Sequence, residues 1–73
     1  MRKTINGIVK NYAMNNGGNY EACYNKLYTM FNKKNHYYIK SRAKRNNFNS
    51  VIGYIESIAQ LDSLLELAIN LYK

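Results

Sequence analysis

Proline and tryptophan are absent, cysteine and histidine occur once each, and four acidic residues stand against eleven lysines and arginines. Without proline nothing breaks a 3.6-residue pattern from within, so helices can run to their natural stops at tight turns. A single cysteine, Cys23, excludes an internal disulfide. With His36 as the only histidine, no Cys/His set has the spacing of a metal site. No apolar run approaches the roughly 20 residues of a membrane span. The opening Met1-Arg2-Lys3-Thr4 leads into a helical pattern and not into the continuous apolar stretch of a signal peptide. A lone thiol with no targeting segment points to a reducing cytoplasm.

The scarcity of acids also limits chemistry. Glu21, Glu56, Asp62 and Glu66 are the only carboxylates, and each reads as a cap, a dipole partner or a solvated charge. Cys23 and His36 are the one pair of nucleophile and base type. Cys23, however, falls on an apolar helical stripe, where a thiol behaves as a small hydrophobe, and nothing in the sequence orients the pair. Gly17-Gly18 lacks the Lys-Ser/Thr that follows a phosphate-binding glycine loop. The expectation is a protein that is not an enzyme and carries neither cofactor nor metal.

What is present is a chain of 73 residues, enough for a single helical domain over 1–73. A domain of this size buries only about 60% of the surface its unfolded chain exposes. With disulfide and metal set aside, a second copy of the chain is the remaining way to enlarge the core, so a homodimer is one expectation. The net charge of +7 and pI near 9.7 favour anionic partners.

The stretch Gly17 to Arg45 organises the rest. Apolar residues at i, i+3, i+4, i+7, i+10 and i+11 place Tyr20, Cys23, Tyr24, Leu27, Met30 and Phe31 on one stripe of a helix. Asn19 fits its N-cap, with Glu21 in the first turn. Before it, Ile5, Ile8, Val9, Tyr12 and Ala13 define a first helix from about Thr4, its expected N-cap, to Asn15. Gly7 there marks a possible close backbone crossing, and Asn15-Asn16-Gly17-Gly18 is a strong stop. So short a link folds the two helices back as an antiparallel hairpin.

Beyond Asn35, a short helix capped at Asn35 or His36 and ending at Arg45 would turn Ile39 and Ala43 inward; the alternative is a short strand at Tyr37-Tyr38-Ile39. The helix is preferred because no second strand exists to pair with. Asn49 or Ser50 then caps a helix bearing Val51, Ile52, Ile55, Ile58 and Ala59. Asp62 is placed to cap a last one bearing Leu64, Leu65, Ala68, Leu71 and Tyr72. Val51, Tyr54, Ile58, Leu61, Leu65, Ala68 and Tyr72 also fit a heptad seam through one continuous helix. A break near Gln60 is the preferred reading. The fold class is therefore all-α, a small bundle of four to five short helices starting with the antiparallel hairpin.

The basic run supplies the functional signal. Lys33, Lys34, Lys40, Arg42, Lys44 and Arg45 fall together with His36 and no acid, interleaved with Tyr37 and Tyr38. Such a run is a solvated basic face, a nucleic-acid surface, or a site for an acidic protein face. No helix carries Asn, Gln and Arg at base-reading positions after a helix-turn-helix turn, so nucleic-acid binding would be weakly selective. Eight tyrosines cannot all enter so small a core. Surplus Tyr beside Arg is the composition of interface hot spots. Tyr28, Tyr37 and Tyr38 are the interface candidates, while Tyr12, Tyr20 and Tyr24 are expected at core edges.

Several segments, taken in order, carry a likeness: Ile5-Asn6-Gly7, Asn11-Tyr12-Ala13, Gly17-Gly18-Asn19-Tyr20, Asn25-Lys26-Leu27-Tyr28, Arg42-Ala43-Lys44, Tyr54-Ile55-Glu56 and Leu61-Asp62-x-Leu64-Leu65-x-Leu67-Ala68. The collinear set resembles the C-terminal module of phage antirepressor-type proteins and spans nearly the whole chain. One departure is Ala59, where that module usually has a glycine; this leaves the continuous-helix alternative open. The resemblance implies a stand-alone phage protein that engages another protein or oligomerises. Its target would be a host or phage protein of DNA replication or transcription control. By analogy, small staphylococcal phage inhibitors bind the host helicase loader. Abundant Asn, Lys, Tyr and Ile fit a low-GC bacterial host.

Overall fold

The computed structural model describes Met1–Lys73 and contains five α-helices and no strand. They are α1 (Arg2–Asn15), α2 (Tyr20–Asn35), α3 (Ile39–Arg45), α4 (Val51–Ser57) and α5 (Leu61–Tyr72). The all-α expectation, the opening antiparallel hairpin and the break near Gln60 all hold. Helices α1, α2 and α5 pack against one another, while α3 joins α2 to α4 and α4 leans on α5. The hairpin is antiparallel: Asn6 meets Tyr20 and Tyr24, and Arg2 lies near Tyr28 one turn further along α2. α5 returns along α2, with the Tyr72 hydroxyl donating to the Cys23 carbonyl at 2.7 Å and Glu66 facing Lys34 at 3.9 Å.

The core is built from Ile5 and Val9 of α1, Leu27, Tyr28 and Phe31 of α2, Ile39 and Ala43 of α3, Tyr54 and Ile55 of α4, and Leu61, Leu64 and Ala68 of α5. Phe31 is its largest fully buried side chain. No buried side-chain nitrogen or oxygen lacks a partner, so burial here carries no large polar penalty.

Left-handed residues follow the first four helices: Gly17 and Gly18, His36, Asn47, and Ala59. Three of these ends are Schellman caps, in which the second residue after the cap donates back to the third-last helical carbonyl. The bonds are Gly18 N–H to Ala13 O, Phe48 N–H to Ala43 O at 2.9 Å, and Gln60 N–H to Ile55 O at 3.0 Å. The heptad seam therefore does not form. The turn at Ala59 (φ 56°) swings α5 back so that Leu61, Leu64 and Ala68 are buried with Tyr54 inside one core.

Several local expectations are corrected. α1 begins at Arg2 with Met1 as cap, not at Thr4, because the Met1 carbonyl already accepts from Ile5 N–H and nothing breaks the helix earlier. Gly7 marks no close crossing: a Cβ there would meet nothing within 4 Å. α3 is capped by Tyr38, not by Asn35 or His36, since α2 runs through Asn35 and His36 ends it. Asp62 lies in the first turn of α5, whose N-cap is Gln60. Asn19 and Ser50 do cap α2 and α4, accepting from Ala22 N–H at 3.0 Å and Gly53 N–H at 3.2 Å.

The buried stripe of α2 follows expectation except that Tyr28 joins it and Tyr20 is left outside. Leu27, Tyr28 and Phe31 are buried, Cys23, Tyr24 and Met30 are half-buried, and Tyr20 is exposed. Both α1 and α5 pack on α2 and extend its buried face to Tyr28, which a single helix's periodicity leaves free by one neighbouring position.

Candidate functional site: a cationic, tyrosine-lined groove

The end of α2, the connector after it and α3 form an open groove of about 820 Å³ floored by Tyr54 of α4. Local rules assemble it. His36 takes a left-handed conformation (φ 58°) and turns the chain out of α2. The Asn32 side-chain oxygen then accepts from Ile39 N–H at 2.7 Å, holding an otherwise unpaired donor at the start of α3. Ile39 and Ala43, four apart, bury one face of α3 and leave Ser41, Arg42 and Arg45 outside.

Within the groove the Arg42 guanidinium lies 4.0 Å from the Tyr37 ring centroid, a cation–π contact. Tyr37 in turn meets Phe31 edge-on at 6.1 Å, so the pair is anchored in the core. Tyr38 is 77% exposed beside them. Lys33 and Arg45 complete the charge, and no acid lines the groove.

The nine residues singled out from sequence separate into two groups. Lys33, Tyr37, Tyr38, Arg42 and Arg45 come together in the groove. Lys34 instead approaches Glu66, Lys40 donates to the Asn25 side chain at 2.6 Å, and Lys44 is exposed outside the lining. Tyr28 is a correction: it is only 9% exposed and meets the Tyr24 ring at 5.6 Å, because the packing of α1 and α5 on α2 extends the buried face to it. Cys23 and His36 lie at opposite ends of α2, about 20 Å apart at the helical rise.

Sequence reasoning left Asn32, Ser41, Asn46 and Tyr54 out of the site. Tyr54 carries no signal in the sequence, since only the packing of α4 on α3 brings it under the groove. Asn32 had a weak one, an asparagine in the last turns of an aromatic-rich helix, where its side chain can serve the next segment.

No helix is long and apolar enough to cross a membrane. Comparison with family models, with curated proteins and with solved structures finds no match for this chain.

Proposed function

We propose that this chain is a non-catalytic phage protein that docks on an acidic face of a bacterial protein and holds that protein inactive. The target is a protein of DNA replication, such as a helicase loader, or of transcription control in the antirepressor manner, met in the bacterial cytoplasm. The observation that carries this reading is the gathering of Lys33, Arg42 and Arg45 with Tyr37 and Tyr38 in one acid-free groove. Tyr and Arg dominate binding energy at protein interfaces because they bring large area and fixed donors at modest entropic cost. The collinear resemblance to the antirepressor module supports the choice of target class. The four carboxylates are dispersed: Glu56 pairs with Arg2, Glu66 with Lys34, and Glu21 and Asp62 sit in first turns, which supports binding over catalysis.

A nucleic-acid reading rests on the same basic run, with the exposed ring of Tyr38 as a stacking face. Affinity capture from host lysate, with and without nuclease, separates the two. The expected result is a discrete replication or transcription protein that survives nuclease and is lost when Arg42 and Arg45 are both changed to Glu. Reconstitution with that protein purified should show loss of its activity at a fixed stoichiometry. Sedimentation of the free chain decides whether it acts as a homodimer. Recovery of nucleic acid alone, with a log–log salt slope of about −0.9 per phosphate contact, overturns the proposal.

A further inference from the structure

We infer that the groove recognises a short acidic peptide segment in which carboxylates flank an aromatic or large apolar side chain. This rests on the protein-binding reading above and names the kind of segment it would take.

The first support is the state of the cations. The Arg42 guanidinium carbon sits 4.0 Å from the Tyr37 ring centroid, and its planar set of N–H donors makes no hydrogen bond within the protein. Lys33 and Arg45 have no acid within salt-bridge distance, while the two lysine or arginine residues that do, Arg2 and Lys34, lie outside the groove. None of the chain's own carboxylates lies in the groove, so a complementary charge beyond solvent counter-ions is left for a partner to supply. A planar fork fixed on an aromatic ring is suited to bidentate carboxylate capture.

The second support concerns which polyanion fits. A single strand of nucleic acid needs successive aromatic faces on which bases stack. Here Arg42 covers the Tyr37 ring, and Tyr54 is 8% exposed with Phe48 against it at 5.2 Å. Tyr38 is the one tyrosine there with a free face, and His36 adds an exposed imidazole beside it. One free tyrosine ring, a tyrosine floor and three cations match an acidic segment with one anchoring side chain better than a stacked strand.

A third observation lies at the rim. His36 is left-handed without the back-bonds that close the turns after α1, α3 and α4. Asn47 and Ala59 hold that conformation too, outside the groove, and it costs a non-glycine residue about 1 kcal/mol or more. His36 lines the groove, so the strained position presents a ring there that glycine would remove.

The test is fluorescence polarisation with a labelled Gly/Ser peptide carrying Glu-Asp-Phe-Asp-Glu. Controls are its Gln/Asn isostere, a version with Ser for Phe, and oligothymidylate. The acidic aromatic peptide should bind, and the amide isostere should lose about tenfold or more, the worth of a charge-assisted pair. Arg42→Glu and Arg42→Lys should both weaken binding, the second because it keeps charge but loses the fork. Lys10→Glu, on another face, should leave it within about twofold. His36→Gly should raise the melting temperature and weaken the peptide. Equal binding of the acidic and amide peptides, tighter binding of oligothymidylate, or equal damage from Lys10→Glu and Arg42→Glu would overturn the inference. Peptide binding without any captured protein would sink the inhibitor reading and leave the groove chemistry standing. Capture that depends on Arg42 while the peptides bind alike would do the reverse.

Discussion

The Arg42 guanidinium rests 4.0 Å from the centre of the Tyr37 ring, tying the outer face of α3 to the connector that leaves α2. An exposed cation–π pair contributes about 0.5–1 kcal/mol. A double-mutant cycle of Tyr37→Leu and Arg42→Ala, read by urea denaturation, should give a coupling energy of that size. Additive losses would show that the two side chains are neighbours without an energetic link.

Asn32 is the pin between α2 and α3. Its side-chain oxygen accepts from Ile39 N–H at 2.7 Å in a partly buried setting. Asn32→Ala leaves that donor unpaired and should cost about 1–2 kcal/mol in a denaturant melt. Amide exchange should quicken at Ile39 and its neighbours in α3 before it does so in α1.

Gly7 stands in an exposed turn of α1 with open space where a Cβ would go. Its helical entropy cost is not offset by any close approach. Gly7→Ala should stabilise the protein by about 1 kcal/mol, raising the melting midpoint by about 4–8 °C for a domain of this size. No gain would mean that α1 is frayed there.

Ala59 holds the left-handed position (φ 56°) that turns α4 into α5. Its methyl group is unfavourable in this conformation, whereas glycine has no Cβ to clash. Ala59→Gly should therefore raise stability by about 0.5–1 kcal/mol, and Ala59→Val should lower it by more. Stabilisation by valine in a thermal melt would show that the turn is absent in solution.

Burial, with a smaller contribution from Tyr20, pushes the Tyr28 hydroxyl up to about 12; burial and the neighbouring Cys23 do the same for Tyr72, up to about 12. Tyr24 is raised further, chiefly by burial and by its contact with Tyr20. These groups bind protons more tightly when folded, so their contribution is intact below pH 10 and is lost as pH climbs from 10 through 12. Circular dichroism should show a steep fall in melting temperature across that window. Tyr28→Phe should flatten it; an unchanged slope would mean that Tyr28 ionises as freely as in the unfolded chain.

Much of the fold was legible locally because short-range chemistry set it. The Gly17-Gly18 stop, the Asn19 and Ser50 caps, and the i, i+4 pair Ile39 and Ala43 each depend on residues within one turn of each other. The unbroken heptad Val51 to Tyr72 was a genuine competitor, since Ala59 gives no local reason to break. Burial of Leu61, Leu64 and Ala68 against α1 and α2 makes the difference.

Local order thus follows from residue type and spacing: an all-α chain opening with a hairpin, the stop at Gly17-Gly18, the caps at Asn19 and Ser50, and the sign of the surface charge. How far the buried face of α2 extends does not, because Tyr24, Leu27, Tyr28 and Phe31 offer two overlapping apolar faces and the packing of both α1 and α5 on α2 takes Tyr28 in. The same long-range packing divided a continuous basic run. It sent Lys34 to Glu66 and Lys40 to Asn25 while leaving Lys33, Arg42 and Arg45 around two tyrosines, a grouping made by distances through space that no linear order encodes.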